Sequence, residues 1–179
     1  VKRSPGAKQT EKLFNSTGIY SSELLAATLN GSLTSSSTKW FTLKMREASL
    51  NEIKEIREWL EDCAKRMYLS FSQSNFNSEI HETYIDLVNF GIGCLLLEEN
   101  EIEISGFNGF KFEAMQIGEY VIAENAQGRV DTIFRKFKKS ARAAFAFWGD
   151  KAGKRIIEKA EKNPEEEIEL LHGVYPDPN

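Results

Sequence analysis

Residues Glu119–Phe147, EYVIAENAQGRVDTIFRKFKKSARAAFAF, decide the fold more than any other stretch of this chain. Apolar and polar side chains alternate along Tyr120–Ala123 and again along Arg129–Phe137, which predicts two strands. The sequence Asn-Ala-Gln-Gly at 125–128 lies between them and is typical of a tight turn. After Lys139 the apolar side chains recur at helical spacing, so the stretch predicts a strand, a turn, a second strand and a helix.

Three amphipathic helices are predicted before this hairpin, at residues 16–33, 49–73 and 78–89. In each of them apolar side chains recur every three or four residues, which is the period of a helix with one buried face. The apolar stripe predicted for the first helix comprises Ile19, Leu24, Leu25, Thr28, Leu29 and Leu33. Ser49 and Glu52 fit a capping box, so we expect the second helix to begin there.

Short strands and two further helices complete the predicted order of elements. Strands are expected at 94–97, 102–104 and 110–114, and the hairpin is followed by helices at 141–148 and 150–161 and a strand at 167–175. Runs of helices followed by runs of antiparallel strands indicate an α+β fold rather than repeated βαβ units. We predict N-terminal amphipathic helices packed on a small antiparallel β-sheet, with further helices and a strand near the C-terminus.

The length of the chain, 179 residues, is within the usual size of one domain. We expect a flexible N-terminus at 1–15, a single α+β domain at 16–176 and a short tail at 177–179. The chain begins at Val1 without a methionine, and we expect it to be a fragment of a longer protein. No apolar run approaches the ~20 residues that a membrane-spanning helix needs.

The charge of the chain argues against one class of protein. The net charge is −4 and the sequence pI is about 5.4, whereas a free-standing nucleic-acid-binding domain is usually basic. A local cluster of cations nevertheless follows the predicted turn: Arg129, Arg135, Lys136, Lys138, Lys139 and Arg142. In a strand these side chains fall on both faces, so the cluster is either a solvated hairpin end or a weak contact site for DNA or an acidic partner.

The familiar motifs of enzymes are absent from the sequence: no GxGxxG, P-loop or GxSxG pattern occurs. His81 and Glu82 resemble the first half of a zincin helix, but Ile85 stands where the second histidine is required. We predict no catalytic residue, no metal site and no cofactor. Two alternatives are kept, a small metal-dependent hydrolase using His81, Glu82 and Asp86, and a nucleic-acid-binding module using Arg129–Arg142.

An ordered series of segments carries a resemblance to a known family. The chain resembles the N-terminal part of the head-to-tail connecting (portal) proteins of short-tailed bacteriophages. The segments that carry the resemblance are STG at 16–18, WFTL at 40–43, WLE at 59–61, SNF at 74–76, DLVNFG at 86–91, EYVIAEN at 119–125, GRVDTIFR at 128–135 and LHGVYP at 171–176. The resemblance covers nearly all of the chain.

The resemblance implies a structural protein rather than an enzyme. Portal proteins form a homo-oligomeric ring, typically a dodecamer, at one vertex of the capsid of the virion. Genomic double-stranded DNA is packaged and ejected through the ring, which works with terminase, capsid and tail proteins and is assembled in the host cytoplasm. By this resemblance, residues 16–176 correspond to the wing region of the portal, and no membrane is involved.

Aromatic side chains are the candidates for contacts between subunits of such a ring. Trp40, Phe41, Phe145 and Trp148 supply more apolar surface than one small core requires. The alternative is that all four belong to the core of the chain itself. The sequence leaves both possibilities open.

Overall fold

The structure, a computed structural model, describes residues 15–100 and 108–177. Contacts between Cα atoms divide the chain into two compact units, Val1–Met115 and Gln116–Asn179. The single domain expected at 16–176 stays a prediction. The expected strand at 102–104 and most of the expected termini at 1–15 and 177–179 lie outside the described residues.

The first unit contains three helices followed by a two-stranded antiparallel sheet in its described part. Its elements are α1 (Thr17–Leu33), a short 3-10 helix (Ala48–Glu52), α2 (Lys54–Gln73), α3 (Phe76–Phe90), β1 (Cys94–Glu99) and β2 (Phe110–Met115). Helix α3 packs against both α1 and the sheet. It ends at Gly91, whose positive φ of 76° is the left-handed conformation that favours glycine at a helix C-terminus.

The predicted start of the second helix was wrong. Ser49 lies in the 3-10 helix, and its hydroxyl donates a hydrogen bond to Glu47 Oε1 at 2.7 Å instead of accepting one from a backbone N–H. Helix α2 begins only at Lys54, because Ile53 has extended dihedral angles (φ −77°, ψ 123°) that separate the two helices. The capping-box pattern therefore marks a turn that precedes the helix.

The core of the first unit is built from aromatic rings. Phe76 and Phe112 are 7% and 4% exposed, and their ring centroids lie 5.1 Å apart. Phe71 stacks on Phe76 at 5.0 Å, and Trp40 lies nearly parallel to Phe76 at 5.8 Å. These offset and edge contacts are the arrangements that aromatic pairs prefer, and they join α2, α3 and β2.

Side chains of α3 and of the residue before it bind the outer edge of β2. The Asn75 amide donates to Phe112 O and accepts from Phe112 N, both at 2.8 Å. Ala114 N donates to Glu79 Oε2, also at 2.8 Å. A two-stranded sheet is only marginally stable alone, so these bonds replace part of a missing third strand.

Helix α1 buries small side chains in place of most of the large ones that the sequence predicts to be buried. Ala26 is fully buried, and the Ser22 hydroxyl donates to Asn89 Oδ1 at 2.8 Å, so the small side chains of α1 lie against α3. Most of the large residues of the predicted stripe are at least half exposed instead: Ile19, Leu24, Leu25 and Leu33, together with Tyr20 beside them. Small side chains let two helices approach closely, and here they are the ones that lie against α3.

The second unit contains a three-stranded antiparallel sheet in the order β3-β4-β5, with two helices between its last two strands. Its elements are β3 (Tyr120–Glu124), β4 (Val130–Ser140), α4 (Ala141–Trp148), α5 (Lys154–Lys162) and β5 (Glu167–Val174). Ala141, Ala144 and Ile168 form its buried centre, where α4 packs against β4 and β5. The α+β fold class predicted from the sequence is confirmed.

The hairpin predicted from the opening stretch is present. Gly128 has a φ of 71°, which an Ala or larger residue adopts only with strain. The Asn125 side chain accepts from Gln127 N at 3.0 Å and from Arg129 N at 3.1 Å, so it closes the turn. Ser140 then caps α4 by accepting from Ala143 N at 3.3 Å, as expected for a serine before a helix.

We expect the substitution Asn75→Ala to destabilise the first unit by about 1–3 kcal/mol, because it leaves the N–H and C=O of the buried Phe112 without partners. Asn77→Ala is the matched control, because Asn77 is an exposed residue of α3. Urea unfolding followed by the fluorescence of Trp40 and Trp59, in a chain that also carries Trp148→Phe, measures both variants. Equal midpoints for the two variants would contradict the role assigned to Asn75.

Candidate functional site

Strands β4 and β5 place a row of cations against a row of carboxylates, here called the charged strand pair. Lys136 Nζ lies 3.0 Å from Glu169 Oε1, and Lys138 Nζ lies 3.0 Å from Glu167 Oε2. Just beyond β4, Arg142 Nη2 lies 3.1 Å from Glu165 Oε1. The predicted cation cluster and the Glu-rich segment at 165–169 are therefore partners in space.

The register of the sheet explains these pairs. Lys138 is directly opposite Glu169, and Ser140 is opposite Glu167, so each lysine reaches the carboxylate of a diagonal neighbour on the same face. The side chains of both pairs are more than half exposed. Exposed ion pairs contribute roughly 0–1 kcal/mol each to stability, so their main effect is to neutralise the cations locally.

Arg135 differs from the rest of the predicted cation set. It is only 7% exposed, and its Nη2 lies 3.4 Å from Glu119 Oε2. Its guanidinium also lies over the Phe137 ring at 4.4 Å from the centroid. Arg135 therefore belongs to the interior of the second unit.

The remaining two cations do not extend the row. Lys139 Nζ lies over the Phe147 ring at 5.2 Å, on the same face of β4 as Arg135. Arg129 is exposed at the turn end of the hairpin. The six predicted cations thus form neither one basic stripe nor one phosphate-binding track. A contact between any of them and DNA or an acidic partner stays a prediction.

The residues of the metal-dependent alternative do not converge on a site. His81 lies on α3 with its Nε2 at 3.9 Å from Glu23 Oε2 of α1. Partial burial raises the pKa of Asp86 above its ordinary value. Within 15–100 and 108–177, no three His, Cys, Asp or Glu side chains are grouped so that they could hold a metal ion. The geometry gives the hydrolase no support.

The four aromatic candidates for subunit contacts have different surroundings. Trp40 and Phe41 are half-buried in the aromatic core of the first unit, where Phe41 stacks on Tyr68 at 4.3 Å. In the second unit, Phe145 is 38% exposed and Trp148 is half-buried with its ring edge-on to Phe147 at 5.0 Å. Internal packing accounts for much of the surface of Trp40 and Phe41, and less of that of Phe145.

An exposed apolar surface lies on α1, where the sequence predicted buried side chains. We call it the α1 apolar surface and define it by Ile19, Tyr20, Leu24 and Leu25, which are 60%, 68%, 55% and 50% exposed. The available signal was that α1 is apolar on more than one side and carries small residues such as Ala26 between the large ones. Such a surface is suited to contact with another protein rather than to catalysis.

None of the helices in the described part of the chain combines the length and the apolarity that a bilayer crossing requires.

The ion pair between Glu166 and Lys159 predicts a pH dependence. The hydrogen bond from the Lys159 ammonium lowers the pKa of Glu166 below its ordinary value. A carboxylate with a lowered folded-state pKa stabilises the fold above its unfolded pKa, and that contribution is lost as the pH falls through the folded pKa. In an NMR titration we expect Glu166 to protonate at a lower pH than in the Lys159→Met variant. Unchanged titration in that variant would contradict the assignment.

Comparisons with known proteins find a family model and curated relatives that match the chain. The model of the bacteriophage head to tail connecting protein family matches residues 1–179. A probable portal protein of Bordetella phage BPP-1 is 27% identical over 177 residues, which cover 97% of this chain and 31% of that protein. The portal protein of Salmonella phage epsilon15 is 25% identical over 135 residues, which cover 75% of this chain and 23% of that protein.

The chain therefore spans less than a third of the length of these curated relatives. The match to the family is complete along the chain, and it includes the hairpin, the charged strand pair and the α1 apolar surface. The chain belongs to the bacteriophage head-to-tail connecting protein family.

Proposed function

We propose that the chain is the wing part of a portal subunit, a structural component of the ring at the capsid vertex through which the phage genome is packaged and ejected. The observation that carries this proposal is the family match along residues 1–179. The two relatives named as portal proteins support it. In this proposal the full-length protein forms a ring, typically a dodecamer, in the virion after assembly in the host cytoplasm, has no enzymatic activity, and works with terminase, capsid and tail proteins.

The α1 apolar surface supports a role in contacts between subunits. Its large side chains are at least half exposed, although α1 packs on α3. In a ring each subunit uses two different surfaces to bind its two neighbours, so one apolar surface of each subunit is covered by the next. Phe145 and Trp148 are proposed as further contacts, and Trp40 and Phe41 contribute through the core that they stabilise.

The charged strand pair supports weak rather than tight interaction with DNA. The chain has a net charge of −4, and the exposed cations of β4 already have carboxylate partners on β5. Tight DNA binding comes from many lysines and arginines that neutralise phosphates and release counterions. A connector through which DNA moves benefits from the opposite arrangement, because the duplex must slide.

We expect Leu24→Glu in the full-length protein to reduce ring formation while leaving the subunit folded, because Leu24 is 55% exposed and lies outside the buried core. Ser21→Glu adds the same charge to α1 at an exposed polar position and is the control. Electron microscopy counts rings with a central channel, and circular dichroism checks folding.

Two results would count against parts of the proposal. If the unmodified full-length protein forms no rings, the portal assignment is wrong. If rings form equally well with Leu24→Glu, the portal assignment survives and the α1 apolar surface is not the contact.

We also expect the double substitution Glu167→Lys and Glu169→Lys to raise the affinity of the chain for duplex DNA, because it leaves Lys136 and Lys138 without their carboxylates. Fluorescence anisotropy with labelled duplex DNA at several salt concentrations measures the effect, and the salt dependence should become steeper. The control is Glu52→Lys with Glu55→Lys, two exposed glutamates without a described lysine or arginine partner, which changes the net charge equally elsewhere. An equal increase in both double variants would show that net charge, and not the charged strand pair, controls DNA affinity.

A further inference from the structure

An open groove of about 390 Å³ runs along one face of α2 in the first unit. The segment 39–44, which forms neither helix nor strand, lines its other side. Apolar groups line much of the groove, among them Leu43 from the segment and Leu60 and Ala64 from α2. A concave site with an apolar floor and a few polar groups is the usual form of a binding site.

The rim of the groove is basic, although the chain is acidic as a whole. Lys39, Lys44 and Arg57 line it together with a single carboxylate, that of Glu61, so three positive charges and one negative charge leave a net charge of +2. None of the three cations forms an ion pair with a described carboxylate, whereas the lysines of the charged strand pair do. The groove therefore has cations available for an anionic partner.

The backbone beside the groove has unused hydrogen-bonding groups. The Tyr68 hydroxyl accepts from Phe41 N at 2.6 Å and donates to Phe41 O at 2.9 Å. The Asn51 amide accepts from Met45 N at 2.8 Å and donates to Met45 O at 3.1 Å. Between these two fixed points, the backbone groups of residues 42–44 make no hydrogen bond to any described residue. Hydrogen bonds therefore fix both ends of the segment, and the backbone groups in its middle remain available to a ligand.

We propose that this groove binds an extended, acidic peptide segment of a partner protein. Carboxylates of the segment pair with Lys39, Lys44 and Arg57, and an apolar side chain between them lies on the floor at Leu60. The backbone of residues 42–44 supplies hydrogen bonds to the segment, as in other complexes in which an extended peptide joins an open strand-like edge. The proposal does not depend on ring formation or on the portal role.

A peptide fits the groove better than a nucleic acid does. Proteins that bind single-stranded nucleic acids align cations along a track and stack bases on exposed aromatic rings. Here the cations line one groove rather than a track, and the aromatic rings of the groove, Phe41 and Tyr68, are already stacked on each other at 4.3 Å. The chemistry of the groove therefore selects carboxylates next to an apolar side chain.

Fluorescence anisotropy with the 179-residue chain and a labelled synthetic peptide of alternating glutamate and leucine tests the proposal. We expect saturable binding that weakens as salt is raised, and a loss of affinity of at least about tenfold in the double variant Lys44→Glu with Arg57→Glu. Lys65→Glu is the control, because Lys65 is an exposed cation of α2 that does not line the groove. A peptide methylated on its backbone nitrogens should bind more weakly than the unmodified peptide.

Several results would overturn the proposal. The acidic peptide could fail to bind at low salt, a peptide with lysine in place of glutamate could bind equally well, or Lys65→Glu could weaken binding as much as the groove variant. Binding of a labelled oligothymidylate that depends on Lys44 and Arg57, without binding of the peptide, would assign the groove to nucleic acid. Self-association of the chain that the groove variant abolishes would assign it to a second copy of the chain.

Discussion

The first unit depends on side chains that hydrogen-bond to the backbone of extended segments. Backbone N–H and C=O groups that leave water must find partners, and strands in a small sheet cannot supply all of them. Asn75 and Glu79 bind the outer edge of β2, and Tyr68 and Asn51 bind the segment that leads into α2. The helices therefore do more than cover the sheet with apolar surface, because their polar side chains take the place of neighbouring strands.

Where the sequence predicted the structure well, the determining interactions are local. The hairpin at 125–128 follows from Asn125 and Gly128, which close the turn within four residues. The helix start predicted from the capping box was wrong because Ile53 is extended and separates Ser49 from α2. The pattern of residue types does not determine this backbone conformation. The hydrogen bonds of Asn75 and Tyr68 join residues that are 37 and 27 positions apart, so no local sequence pattern predicts them.

The candidate surfaces were predicted less completely for the same reason. The cations around Lys136 were found from the sequence, but their pairing with the Glu-rich segment depends on the β4–β5 register. The burial of Arg135 and its contact with Glu119, 16 residues earlier, depend on the packing of the second unit. On α1, helical periodicity identified apolar residues correctly, yet Ala26 rather than Leu24 is buried because close helix packing favours small side chains.

The bonds between Asn75 and β2 also have a consequence for how the first unit folds. A hairpin of two strands gains little stability before it is docked, and α3 offers its polar partners only once it is helical. Formation of the β1–β2 hairpin and of the α2–α3 junction should therefore be coupled, since neither reaches its final hydrogen bonding without the other. Asn75 and Phe112 are 37 residues apart, so the chain between them must close before their hydrogen bonds can form. Because side chains replace the third strand of this sheet, we expect a late, cooperative step in folding.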